Sequence, residues 1–416
     1  MTTAIRSVAQ SGNTISVATS SESIIFDPHS VLYAPPGGNS PLFPAAHERS
    51  LLEYHPGLDC QIDYQEMAAQ ATANAKALVG KMWSQLKEID DPARRIFELM
   101  RSGRYRAGSP KTTDFSGNWP LWRSRLNHSV RTQTPISIII LSFPCKIPNP
   151  LKVRRRAPDM AELLSLTQLF EITEVLRLVH PPGAVLHLLS DGNIYGPLSG
   201  ISRAEVRRYH QELARMIRLL GAESVLRQVD LVDDVIAAHN EEYHTVRRLL
   251  EPELRRWWSN NIDDPRRRYF LRNFAWNVQL TDETAVLLAS GIHAALADEL
   301  PTDALETLDS VRGGIKHKVE EAAFNYLLMR STLHISEVID KYDSCNIRAT
   351  AVPKAGQWSI NMVNRHTSMR PWHGVAVRKA SGSWRLRYEI DALRQGYVPV
   401  YSTNDPTPFY YQAVRQ

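Results

Sequence analysis

The sequence predicts an α/β protein with a Rossmann-like, mainly parallel sheet, a large helical layer and a C-terminal strand hairpin. Two short apolar, β-branched runs, residues 136–141 and 184–189, flank a single helical pattern, as strands flank a crossover helix. Helical periodicity then dominates about 203–340, and short strand patterns return from Asn346. With 416 residues, 43% apolar and 22% charged, the chain is neither disordered nor fibrous.

Residues 1–60 mix Ser and Thr with Pro35-Pro36-Gly37-Gly38 and show no helical period, so they read as an irregular N-terminal arm. Residues 61–416 read as a single α/β catalytic domain with its helical section at about 203–340. Residues 64–89 repeat Met67, Ala71, Ala75, Leu78, Met82 and Leu86 at helical spacing, and a second helix over 93–101 follows Asp90-Asp91-Pro92. Residues 102–134 read as loop.

The run at 136–141, bounded by prolines, suits a strand buried on both faces. The loop from Ser142 to Pro150 carries Pro144, Pro148 and Pro150 and cannot be helical. Asp159 is placed to cap a helix whose apolar positions include Leu163, Leu166, Leu169, Ile172, Val175 and Leu176, ending before Pro181-Pro182-Gly183. The second run closes on Ser190-Asp191-Gly192. A crossover of this length implies parallel strands with a right-handed connection, which puts both polar loops at the carboxyl edge of the sheet, where open α/β sheets bind ligands. Further helices are expected at 203–220, 230–258, 265–276, 282–296 and 314–333. Strands are expected at 347–352, 358–362, 375–377 and 384–388, the last two joined as a hairpin through Ser381-Gly382-Ser383.

Forty-nine Lys and Arg against forty-four Asp and Glu leave +5, a weak field whose one dense run is Arg154-Arg155-Arg156, so no nucleic-acid or membrane partner is expected. Cys60, Cys145 and Cys345 lie far apart without zinc spacing, so neither a disulfide framework nor a metal site is expected. The chain has no signal-peptide pattern and no run near the roughly 18 apolar residues of a membrane span, which predicts a soluble cytoplasmic protein. Gly-x-Gly-x-x-Gly, Walker, His-Glu-x-x-His and Gly-x-Ser-x-Gly signatures are missing. The Trp257-Trp258 pair and the Phe409-Tyr410-Tyr411 run read as packing groups.

Lys146, in its proline-stiffened loop, can anchor a phosphate or carboxylate or form a Schiff base; the alternative is a solvated loop lysine. Asn149 can bond a sugar hydroxyl or serve turn chemistry. Lys152 and Arg154 to Arg156 make this edge positive, suited to a phosphorylated ligand or simply a solvated face. Asp191 can orient an amine or act as base, and Asp-Gly is equally a turn signal. His373 can shuttle protons or pack.

The stretch Phe143-Pro144-Cys145-Lys146-Ile147-Pro148-Asn149-Pro150 resembles the Phe-Pro-x-Lys-Ser-Pro-Asn-Pro of the isocyanide (isonitrile) synthases of paerucumarin biosynthesis, a family grouped with the yeast spore-wall dityrosine protein. The resemblance continues through Pro158-Asp159-Met160-Ala161-Glu162, Pro182-Gly183-Ala184, Ser190-Asp191-Gly192, Ile347-Arg348 and Pro371-Trp372-His373-Gly374-Val375, over about 95–215 and 345–402. It implies an enzyme of transferase/lyase type that condenses the α-amine of a tyrosine- or tryptophan-type amino acid with ribulose 5-phosphate. The imine then fragments, leaving the sugar's C2 as the isonitrile carbon. It implies no metal or redox cofactor, ribulose 5-phosphate as co-substrate, and a separate Fe(II)/2-oxoglutarate oxygenase acting downstream. Carried over by position, Lys146, Asp191 and His373 become the catalytic candidates, and Asn149, Lys152, Arg154 and Arg348 the substrate-binding ones, Arg348 as an anion anchor. Ile147 replaces the family's Ser, and residues 109–118 stand where many relatives carry cysteines, so substrate or outcome can differ. The rivals are an N-formyl or N-acyl amino acid synthase of the same family and a catalytically silent relative that binds an amino acid or a partner.

Overall fold

The computed structural model describes residues 57–105, 118–149, 152–264, 277–279, 314–350, 356–364, 369–402 and 407–413, with Arg267, Leu271 and Phe274, and the backbone alone of 5–11, 14–19, 23–26, 302–313 and 315. Strands β1 (Ile5–Ser11), β2 (Thr14–Thr19) and β3 (Ser23–Phe26) pair antiparallel in that order. The irregular arm is corrected over these residues. Ile15 and Val17 alternate with Thr14 and Ser16, and Gly12-Asn13 is a two-residue hairpin signal. The rest of the arm, 27–56, lies outside the described residues, as do the helices expected at 282–296 and, three residues apart, at 265–276.

After β4 (Leu58–Cys60), α1 (Tyr64–Leu86) starts at Asp63, whose carboxylate accepts from the Glu66 amide. Helix α2 (Pro92–Met100) follows its Asp91 cap, and α3 (Trp119–Thr132) occupies much of the expected loop. Pro120 presets the first turn of α3, and Trp122 and Leu126, one turn apart, are fully buried.

Strand β5 (Ile136–Leu141) lies where expected, and α4 (Met160–Arg177) starts at a reciprocal capping box between Asp159 and Glu162. Then come β6 (Ala184–Ser190), α5 (Gly192–Ser199), α6 (Arg203–Leu219) and β7 (Leu226–Asp230). The helix expected over 230–258 is divided: Asp230 caps a π-helical turn at Leu231–Ile236, and α7 runs over Asn240–Asn260. Helix α8 (Thr302–Ser336) and the short α9 (Val338–Tyr342) complete the helical section.

Strands β8 (Ile347–Thr350) and β9 (Trp358–Ser359) return to the first sheet, whose order is β7-β6-β5-β8-β9, parallel throughout. The chain lays β6 and β7 on one side of β5 and β8 and β9 on the other. The order therefore reverses between β5 and β8, the position at whose carboxyl edge open α/β sheets bind their ligands.

The C-terminal hairpin, β10 (Val375–Arg378) with β11 (Trp384–Arg387), belongs to a second sheet that the sequence did not predict. After α10 (Glu389–Arg394), β12 (Val398–Ser402) and β13 (Pro408–Gln412) extend it in the order β11-β10-β13-β12-β4. Pro399 and Pro408 argue against strands in a sequence reading. One continuous core includes Ile138 and Leu186 of the first sheet and Leu386 and Val400 of the second. Trp257, Trp258 and residues 409–411 are buried, as packing groups are. No helix among the described residues is long and apolar enough to cross a membrane.

Candidate active site

The chain leaves β5 at the switch point by a turn that bulky residues avoid. Phe143 has a φ of 50°, in the left-handed region. Its carbonyl accepts from Ser190 Oγ at 3.2 Å and from His210 Nε2 at 3.1 Å, and its ring meets Trp372 edge-on with centroids 5.5 Å apart. The next carbonyl, of Pro144, faces Gly192 at the start of α5. A Cβ on Gly192 would lie 2.1 Å from that oxygen, so only glycine lets the loops after β5 and β6 close on each other.

Lys146 is buried in this loop and its three ammonium hydrogens are all engaged. They reach Asp159 Oδ2, Glu162 Oε2 at 3.0 Å and the Gly374 carbonyl at 3.3 Å. Tyr209 donates to the other Glu162 oxygen at 3.2 Å. Burial pushes the Glu162 carboxyl up to about 7, against the pull of Lys146. Lys146 thus ties the loop to α4 and β10 and has no spare donor for a phosphate.

Lys152 is equally buried but has no carboxylate partner among the described residues. It donates to Asn277 Oδ1 and to His373 Nδ1, the latter at 3.3 Å. Burial, with the charge of Lys146 adding to it, brings the amine down to about 7. His373 is held well below its ordinary value by burial and by the charges of Lys152 and Arg370, so its ring is neutral and Nδ1 can accept. This places an amine that titrates near neutral pH against a neutral imidazole.

The remaining basic residues of the run are internally neutralised. Arg154 pairs with Glu389 at 3.0 Å, Arg155 donates to the carbonyls of Pro158 and Thr407, and Arg156 pairs with Glu205. The positive edge expected from the sequence is therefore largely consumed by partners, with Lys152 the exception. Asn149 is fully buried, and its backbone exchanges two 2.8 Å hydrogen bonds with Val153 to make the turn that carries Lys152. Arg348 sits within β8 opposite Ile139 and 3.8 Å from Asp340, apart from the other candidates.

Asp191, at the end of β6, is buried and accepts from the Tyr326 hydroxyl at 3.0 Å. Burial raises its carboxyl, while the Tyr326 bond and the charges of Arg330 and Arg370 work the other way. Tyr195 stands edge to face against Phe274 and Tyr326, and these two are tilted to each other, with all centroids 5.3–5.6 Å apart.

The structure thus brings Lys152 and His373 together, sets Asp191 in the same electrostatic neighbourhood through Arg370, and leaves Arg154 and Arg348 elsewhere. Sequence reading misses Asn277, Tyr326, Arg330 and Arg370. Arg370 is adjacent to the Pro-Trp-His motif, but Tyr326 and Arg330 sit in a helical pattern that marks neither. A larger cleft of about 1500 Å³ lies between α1, α4 and the second sheet. Arg104 and Glu171, in its lining, are paired with each other. Among the described residues no cluster of His, Cys, Asp and Glu could hold a metal ion.

The pyoverdine/dityrosine biosynthesis protein family matches residues 126–398, a span that contains every one of these site residues. An L-tyrosine isonitrile synthase of Pseudomonas aeruginosa is 26% identical over 299 residues, 69% of this chain and 84% of that protein. An L-tryptophan isonitrile synthase of Fischerella ambigua is 31% identical over 101 residues, 24% of this chain and 31% of its own length. The spore wall maturation protein of Saccharomyces cerevisiae is 31% identical over 93 residues, 22% of this chain and 17% of its own. The crystal structure of the PvcA protein from Pseudomonas aeruginosa matches the fold with a TM-score of 0.58 at 22% identity, covering 78% of this chain and 100% of that one.

Proposed function

The chain belongs to the pyoverdine/dityrosine biosynthesis protein family, and on that premise we propose that it is an isonitrile synthase acting on the α-amine of an aromatic amino acid, with ribulose 5-phosphate as carbon donor. The observation that carries the reading is the Lys152–His373 pair at the carboxyl edge of the parallel sheet, with Asp191, which feels the same Arg370 charge as His373, as a second acid/base. Condensing an amine with a ketone needs a base for the ammonium proton and an acid for the oxygen that leaves as water. Asp191, raised from the usual carboxylate range, takes the first role. Lys152, able to give and take a proton near pH 7, protonates the ketone oxygen. His373, neutral and in contact with Lys152, accepts the proton lost as the imine fragments and hands it to the Lys152 amine, which restores the ammonium.

In this reading Lys146 holds the loop in shape through Asp159 and Glu162 rather than touching the sugar. No redox or metal cofactor enters the scheme. A separate Fe(II)/2-oxoglutarate oxygenase would act on the product, and the reaction would run in the cytoplasm. The test is incubation with tyrosine, tryptophan and an aliphatic amino acid plus ribulose 5-phosphate, read by mass. An isonitrile mass is expected. A formyl mass would favour the N-formyl synthase, and no turnover would leave a binding protein.

A further inference from the structure

We infer that Arg330 and Arg370 form the anchor for the α-carboxylate of the amino acid, with Asp191 holding its α-amine between them. The inference rests on the proposed substrate class and assigns two residues that the sequence does not single out. Arg330 lies one turn beyond Tyr326 on α8, and its guanidinium stands 5.9 Å from the Tyr326 ring centroid. The Tyr326 hydroxyl in turn donates to Asp191. Arg370 immediately precedes the 3-10 turn Pro371–His373, its carbonyl accepting from the His373 amide at 3.0 Å, which fixes it next to the imidazole that meets Lys152, and its charge acts on Asp191, Tyr326 and His373.

Neither guanidinium has a carboxylate within ion-pair distance among the described residues, whereas Arg104, Arg154 and Arg348 each do. Both are half-buried, so they can meet a ligand from solvent. Two unpaired cations around one buried carboxylate suit a zwitterion, whose ammonium meets Asp191 and whose carboxylate meets the arginines. A phosphate dianion would be repelled by the same Asp191. The ring trio Tyr195, Phe274 and Tyr326 supplies an apolar wall for a side chain.

The test is calorimetric binding of tyrosine, tryptophan and leucine to the full chain, each against its decarboxylated amine, with and without ribulose 5-phosphate. At least one amino acid is expected to bind roughly tenfold or more tightly than its amine, the range of a charge-assisted bond. Arg330→Gln and Arg370→Gln should each erase most of that preference, by weakening the amino acid's binding and not by tightening the amine's alone. In turnover they should raise the KM for the amino acid and leave that for ribulose 5-phosphate unmoved. Equal binding of amino acid and amine by the unaltered chain, no amino acid binding at all, or a rise in the sugar phosphate KM instead would overturn the anchor. Isonitrile formation is scored separately. Carboxylate-dependent binding without isonitrile keeps the anchor and rejects the synthase, and isonitrile formation with unmoved KM values in both variants rejects the anchor alone.

Discussion

Lys146 and Lys152 occupy one loop in opposite surroundings, and the same substitution should have opposite effects on them. Lys146→Met leaves Asp159 and Glu162 buried side by side without their cation, so it should destabilise the fold by about 3–5 kcal/mol in urea unfolding. Lys152→Met removes a buried charge that no carboxylate offsets. The Lys152 amine falls from 10.5 to about 7 on folding, so the folded state binds fewer protons between those values. The charge costs stability in full below pH 7, and that cost fades as pH rises towards 10.5. Lys152→Met should therefore stabilise the protein by about 2–4 kcal/mol near pH 6 and progressively less in alkali, while abolishing most turnover. In the unaltered enzyme, loss of the Lys152 proton should give kcat a limb that falls through about pH 7, absent from the residual rate of the variant. Lys146 was legible as a singular residue in the sequence. Its role was not, because the partners that consume its donors, Asp159 and Glu162, look in sequence like an ordinary helix cap.

At the scale of elements, the site depends on the closeness of the loops after β5 and β6. Gly192→Ala brings a Cβ to 2.1 Å from the Pro144 carbonyl and 2.9 Å from Val206, so α5 must shift and carry Asp191 with it. Turnover should fall by about tenfold to a hundredfold, as expected when reacting groups move by about 1 Å. Thermal unfolding should show a smaller loss of stability than that of Lys146→Met. The elements that make this edge were the most legible part of the fold. β5 has the bounds expected, and α4 begins at the expected cap, because buried parallel strands and capped amphipathic helices leave strong local patterns. The second sheet was not legible. Its strands β4, β12 and β13 are short, two contain proline, and β4 pairs with β12 across more than three hundred residues of chain. Arg370, Asn277 and Tyr326 were missed for the same reason: long-range packing, not local spacing, gathers them.

For the whole molecule, the net charge of +5 matters less than where cations are left unpaired. Arg154 joins the loop of the first sheet to Glu389 and Tyr411 of the second-sheet region. Arg154→Ala strands the buried Glu389 carboxylate, yet Arg154 is itself about a fifth exposed, so unfolding should register a loss on the order of 2–3 kcal/mol. Ligand affinity per folded molecule should stay intact, which separates this residue from Lys152, Arg330 and Arg370. The central claim is that this chain moves one carbon from a ketose phosphate onto an amino acid nitrogen. It is tested most directly by supplying ribulose 5-phosphate isotopically labelled at C2 together with the accepted amino acid and following the label by NMR. The account predicts the label in the isonitrile carbon and nowhere else in the product; an unlabelled isonitrile, or label retained in an intact sugar phosphate with the amino acid unchanged, would contradict it.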